Sequence, residues 1–181
     1  MGEPRTPLPV TLFMSVIFNA ESILGKALED LQQEYGAIDW MSERLPFDFT
    51  DYYAREMGTG LFRHFVTFAS LIPRESLPEI KLNTNRIEAR WSTVEGRRQV
   101  NIDPGYLCLE HIVLATTKGY AHRPYLSKGI YADLTLIYRK GSFQPLEWTY
   151  PDYRQEQTLQ MFNQIRKRYL LKLRETQGRR C

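Results

Sequence analysis

Apolar residues recur at every second position from Val10 to Phe18, where Val10, Leu12, Met14, Val16 and Phe18 share one face of an extended segment. Phe13 and Ile17 make the other face partly apolar, which predicts a central strand covered on both sides. The period then lengthens. Asn19 is suited to cap a helix, and Glu21 falls in its first turn near the positive end of the dipole. Leu24, Ala27, Leu28, Leu31 and Tyr35 form a stripe at helical spacing, and Gly36 supplies a stop.

A second strand is expected around Ala37 to Met41. An irregular stretch rich in acids and aromatics runs from Leu45 to Gly58, and a third strand from Leu61 to Leu71. Ser76-Leu-Pro-Glu79 matches a capping box with Pro in the first turn. The helix it opens places Ile80, Thr84, Ile87 and Trp91 on one face. Gln99 to Ile102 reads as a short strand ending at an Asp103-Pro-Gly105 turn, because Pro presets φ and Gly permits positive φ. Tyr106 to Thr117 is extended, Ile130 to Tyr138 alternates, and Arg139-Lys-Gly141 makes a hairpin turn into Ser142 to Leu146. A basic amphipathic helix over 154–176, with Phe162, Ile165, Tyr169 and Leu173 at helical spacing, follows the Glu147–Tyr153 link. It leaves a flexible N-terminus at 1–9 and a tail at 177–181.

The order β-α-β-β-α-β over the first hundred residues is that of a split βαβ unit. The expected architecture is a single α+β domain over 1–181: a ferredoxin-like βαββαβ-type core, additional antiparallel strands and a C-terminal helix. The 43% hydrophobic and 25% charged composition fits an ordinary globular chain. From Arg154 onward eight basic residues face two acids, so the net charge of +3 belongs to that segment and the body is net acidic. Cys108 and Cys181 form no disulfide framework or zinc spacing, which favours a reducing, cytoplasmic setting. No apolar run approaches the ~20 residues needed to span a membrane, and the first residues do not resemble a signal peptide.

The chemistry concentrates between Leu114 and Tyr131, a polar connection held at both ends by strands. It offers Thr116, Thr117, Lys118, His122, Arg123, Tyr125 and Lys128. Arg presents a planar fork of donors and Lys a mobile point charge, a set suited to phosphate or carboxylate. His122 is placed to move a proton near neutral pH. Asp51, Tyr53 and Glu56 form a second cluster, Asp103 a third, and Trp148 with Tyr150 can cover a planar ligand. No histidine pair has metal-ligand spacing, and neither a P-loop nor a dinucleotide-binding glycine pattern is present. The residues name no cofactor.

Pro46-Phe47, Asp51-Tyr-Tyr53, Glu56-Met-Gly58, Asn101-Ile-Asp-Pro-Gly-Tyr-Leu107, Leu114-Ala-Thr-Thr-Lys118, His122-Arg123 and Trp148-Thr-Tyr-Pro-Asp-Tyr-Arg154 occur in this order. Together they resemble a bacterial family, domain of unknown function 4416, over nearly the whole chain. Pro124 departs from it, standing where an aliphatic residue is expected. The resemblance implies no established activity, and a "GTP-binding" label on some members finds no guanine-nucleotide motif here. It does place the family's motifs on the loops chosen for their chemistry.

The expected function is therefore binding of a small anionic ligand, phosphate-bearing compounds and nucleotides included, with turnover open. The cleft would be formed by the Asp51–Glu56, Asp103–Tyr106 and Thr116–Tyr125 loops. Asp51, Tyr53, Thr116, Thr117, Lys118, Arg123, Tyr125, Trp148 and Tyr150 would bind, and His122, Asp103 or Glu56 would move protons. The alternative is an RNA-binding or protein-interaction module that uses Arg166, Lys167, Arg168 and Lys172 of the last helix.

Overall fold

The nine residues Val10–Phe18 form strand β1, and all nine are buried. A computed structural model describes residues 2–50 and 53–178. Along the chain follow α1 (Glu21–Tyr35), β2 (Ile38–Met41), β3 (Leu45–Phe47), the single turn α2 (Ala54–Met57), β4 (Leu61–Ile72) and α3 (Leu77–Arg90). Then come β5 (Val100–Leu107), β6 (His111–Thr116), β7 (Tyr125–Ser127), β8 (Ile130–Arg139), β9 (Ser142–Pro145) and α4 (Glu156–Gly178). Among the described residues the strands join into one sheet of order β2-β4-β1-β5-β6-β8-β7, with β3 added to β4 and β9 to β8. Every pairing is antiparallel. No helix among the described residues is long and apolar enough to cross a membrane.

The two faces of β1 seed two cores, as its alternation predicts. Leu12, Met14, Val16 and Phe18 pack with Leu24, Ala27 and Leu31 of α1 and Ile80 and Ile87 of α3. Phe13 faces the other way and joins Phe65 with Phe162, Ile165, Tyr169 and Leu173 of α4. The sheet is thus a layer between helices on both faces. Buried Asp30 ties α1 to α3 by accepting from Arg90 at 2.8 Å and from Trp91 at 2.8 Å.

Several local expectations are overturned. Asn19 does not cap α1; it donates to the Met57 carbonyl at 3.0 Å, and Ala20 takes the cap position without a side-chain bond. Ser76 does not form a capping box, because a 3-10 turn over Arg74–Ser76 feeds directly into α3, and its hydroxyl donates to Pro73 at 2.6 Å. The irregular stretch contains β3, paired to Leu61–Arg63, and the α2 turn. The Tyr106–Thr117 extension is broken by a turn at Cys108–Glu110, and the Leu114–Tyr131 connection contains β7.

The largest correction concerns Asp103-Pro-Gly105, which is not a turn. It lies inside β5, with Asp103, Pro104 and Gly105 opposite Ser15, Met14 and Phe13 of β1. Pairing of β5 to β6 covers Gly105, Tyr106 and Leu107 only. Pro104 therefore sits where the strand has no neighbour on its other side, the place a sheet tolerates a missing donor. Gly105 is glycine for lack of room, since a Cβ would lie 2.6 Å from Phe13 Cζ and 2.6 Å from the Val113 carbonyl oxygen.

The last helix begins at Glu156, after a 3-10 turn over Pro151–Arg154. Within the N-terminal segment, Leu8 accepts from Arg74 at 3.3 Å and Pro9 from Tyr169 at 2.7 Å.

Candidate functional site

Where β5 and β6 part beyond Gly105, the sheet opens a gap, and α3 fills it with polar side chains. Glu88 accepts the Ile102 N–H at 2.7 Å and Lys81 donates to the Ile102 carbonyl at 3.1 Å, so the helix satisfies a strand edge that β6 has left. Above this gap lies a cleft of about 660 Å³. Its floor is the polar minority of the strands: Ser15 of β1, Arg63 of β4, Asn101 and Asp103 of β5 and Asp133 of β8. Phe47, Phe49, Thr50 and Tyr53 line one wall, Tyr150 to Tyr153 another, and Thr116, Thr117 and Lys118 a third.

The lining is charged and mostly paired. Arg63 is ion-paired with Asp152, with side chains only 3% and 10% exposed. The Arg63 guanidinium packs on the rings of Phe65 at 4.4 Å and Phe47 at 5.1 Å. Lys81 reaches Asp103 at 3.1 Å, and Asn101 donates to the other Asp103 oxygen at 2.7 Å. Arg98 extends the chain, donating to Asn101 at 3.0 Å, Glu88 at 3.5 Å and Glu56 at 2.6 Å. Burial raises the Glu88 pKa, helped by neighbouring Asp103, against the pull of Lys81, the Ile102 N–H and Arg98. A carboxyl raised by burial thus sits beside two cations, Lys81 and Arg98.

Two buried polar atoms of the lining have no hydrogen-bond partner among the described residues, Arg63 Nε and the Tyr153 hydroxyl. The Ser15 hydroxyl is close enough to ease Tyr153 ionisation without the geometry of a full hydrogen bond. Burial nonetheless holds the Tyr153 pKa well above the usual value.

Of the residues expected to form a site, Tyr53, Asp103, Thr116, Thr117, Lys118 and Tyr150 line this cleft. Asp51 lies outside the described residues. Glu56 is outside the lining and meets it through Arg98. Arg123 spends its donors on Asp133 at 2.8 Å, the Lys118 carbonyl at 3.1 Å and the Tyr150 hydroxyl at 2.6 Å, which makes it a brace for the loop that carries Lys118. His122 stacks on Trp148 at 5.0 Å, and Trp148 donates to the Leu134 carbonyl at 2.8 Å. Tyr125 is exposed and packs edge-on against Tyr131. Of the three residues expected to move protons, Asp103 alone lines the cleft.

Ser15, Arg63, Lys81, Asn85, Glu88, Arg98, Asn101, Asp133 and Asp152 were not among the expected residues, yet all line it. Their signal was available: Ser15, Arg63, Asn101 and Asp133 each interrupt an apolar strand, and Lys81, Asn85 and Glu88 recur at helical spacing.

Two other clusters lie elsewhere. Cys108, Glu110 and His111, at the β5–β6 turn, place potential metal-ligand atoms within 4.8 Å of one another. Arg74 stands 3.9 Å from Glu110 and burial pushes the Cys108 thiol up to about 11, both unfavourable to a cation there. On α4, Arg166 donates to the Leu109 carbonyl at 2.9 Å, Arg168 to the Asp39 carbonyl at 3.0 Å, and Lys172 to the Phe68 carbonyl at 2.6 Å. Lys172 also reaches the Asp39 carboxylate at 2.8 Å. Lys167 is exposed.

No curated protein and no solved structure matches the chain. The family described as Domain of unknown function (DUF4416) matches residues 8–169, the stretch that contains every strand among the described residues and the described lining of the cleft, and the chain belongs to that family.

Proposed function

We propose that the protein binds a small metabolite carrying a phosphate or carboxylate group in the cleft over β1, β4 and β5. The observation that carries this reading is a concave site of about 660 Å³ whose lining combines Arg63, Lys81, Arg98 and Lys118 with aromatic side chains at its mouth. Arg63, Lys81, Arg98 and Lys118 are matched by Glu88, Asp103, Asp133 and Asp152, so the site is suited to a ligand with donors as well as an anion. Proton uptake at Glu88 tips that balance toward positive charge. Tyr53, Phe49 and Tyr150 suit a ring, nucleobases included, because an aromatic wall favours a planar partner. Asp103, held by Lys81 and Asn101, is the carboxylate placed for proton transfer in a turnover reaction.

The fold reading that accompanies it is a ferredoxin-like core within one domain. It is supported by the strand order β2-β4-β1-β5, with α1 and α3 on one face of those strands. The nucleic-acid reading draws less support, because Arg166, Arg168 and Lys172 spend donors on fastening α4 to the rest of the molecule.

A thermal-shift panel of nucleotides, sugar phosphates and carboxylic acids tests the proposal, with Lys118→Ala and Thr117→Val beside the wild type. A ligand at a hundred times its Kd stabilises the native state by about 2.7 kcal/mol, roughly 5–10 °C for a chain of this size. A hit weakened in both variants supports the cleft. Absence of any shift across the panel removes it.

A further inference from the structure

Arg63 is the deepest cation of the cleft, and its chemistry is unfinished. The residue is 2% exposed and Tyr153 is 4% exposed, yet the Arg63 Nε–H and the Tyr153 hydroxyl lack partners among the described residues. Buried polar groups are ordinarily satisfied, and leaving a donor without an acceptor costs stability. Ser15, on the neighbouring strand and 2% exposed, adds a third hydroxyl or N–H donor to the same lining. The three residues that carry these donors, from β1, β4 and the Pro151–Arg154 turn, line one cavity.

We propose that this floor is the seat of the ligand's anionic group, a singly charged oxyanion that accepts hydrogen bonds from Arg63 Nε–H, the Tyr153 hydroxyl and the Ser15 hydroxyl. The proposal rests on the cleft being a ligand site and adds which atoms select the ligand. Asp152 already neutralises Arg63 through its Nη1, and Asp103 stands paired with Lys81 beyond Ser15. An incoming anion thus gains directed hydrogen bonds and little net charge. That arrangement favours a singly charged planar carboxylate, which suits the planar donors of a guanidinium, over a phosphate dianion. Lys118, by contrast, sits at the mouth on a loop and sets approach and not selection.

The test uses the full chain with acetate and inorganic phosphate as probes, at constant ionic strength with chloride as control, together with the best compound from the panel. Tyr153→Phe removes an unpartnered buried hydroxyl, so the free variant melts higher than wild type by roughly 2–4 °C. The same change lowers affinity for acetate and for the panel compound by about tenfold or more, the size of one charge-assisted hydrogen bond. Ser15→Ala weakens binding in the same direction, and Arg63→Lys keeps the charge beside Asp152 while losing the planar edge. Acetate binding more tightly than phosphate assigns a carboxylate; the reverse order assigns a phosphate monoanion and calls for tighter binding at acid pH. A panel compound that binds wild type and Tyr153→Phe equally overturns the floor seat and leaves the cleft standing. No binding to wild type by any compound overturns both.

Discussion

Replacing Gly105 by Ala puts a methyl group where the chain leaves no room. Its Cβ would lie 2.6 Å from Phe13 Cζ, 2.8 Å from Phe13 Cε1 and 2.6 Å from the Val113 carbonyl oxygen. Phe13 is fully buried and packs edge-on against Phe162 of α4 at 5.1 Å, so its ring yields only if the helix does. Val113 belongs to the paired strand β6, and its carbonyl cannot rotate away. Overpacking costs about 1–3 kcal/mol, and a fixed backbone contact argues for the upper end, near ~3 kcal/mol. A stiffer unfolded chain offsets about 0.4–1 kcal/mol of that. The net loss is about 2 kcal/mol, a fall in Tm of roughly 4–8 °C. Urea unfolding followed by circular dichroism measures it. In a Phe13→Leu background the cost shrinks without vanishing, because the Val113 contact remains. A loss within about 0.5 kcal/mol, the value for an unconstrained surface position, would refute the strand assignment of Asp103-Pro-Gly105 and the steric reason for its glycine.

Phe162→Ala removes a ring that contacts Phe13, Phe65 and Tyr153 at 5.1, 5.4 and 5.8 Å. Urea unfolding should show a loss of about 4 kcal/mol, as for other fully buried aromatics cut to Ala. Burial chiefly raises the folded pKa of Glu88, so between the unfolded and the folded carboxyl values the native chain holds a proton that the unfolded chain has released. Stability therefore falls as pH rises from the unfolded carboxyl value through the folded one. In Glu88→Gln that component disappears from the pH profile of the melting temperature; a profile identical to wild type would count against the buried acid.

The sequence makes most elements legible because their burial is regular. The Val10–Phe18 alternation identifies a central strand, and Phe162, Ile165, Tyr169 and Leu173 identify the inner face of α4, since long periodic segments leave no competing arrangement. Asp103-Pro-Gly105 misleads because the same residues that permit a turn also suit an unpaired strand edge under a close neighbour. Only the position of Phe13 and Val113 separates the two; Phe13 is remote in sequence, and Val113 comes close only once β6 folds back on β5. The cleft was half legible for a related reason. Thr116, Thr117 and Lys118 advertise themselves in a polar loop, whereas Ser15 and Arg63 are single polar residues inside apolar strands. They become a floor only when β1 and β4 pair, and Lys81 and Glu88 join them only because β6 leaves β5 at Gly105. Arg123 looked like an anion clamp by its charge, but Asp133, a partner ten residues on, gives it the work of a brace.

The most direct test of the cleft is amide chemical-shift mapping on the isotope-labelled protein, titrated with the strongest compound from the thermal-shift panel. A ligand seated in the cleft gives perturbations clustered at Ser15, Arg63, Asn101, Asp103, Thr116 to Lys118 and Tyr153, with the exposed face of α4 around Lys167 unchanged. Perturbations confined to α4, with β1, β4 and β5 silent, would contradict it and move the binding surface to the basic helix.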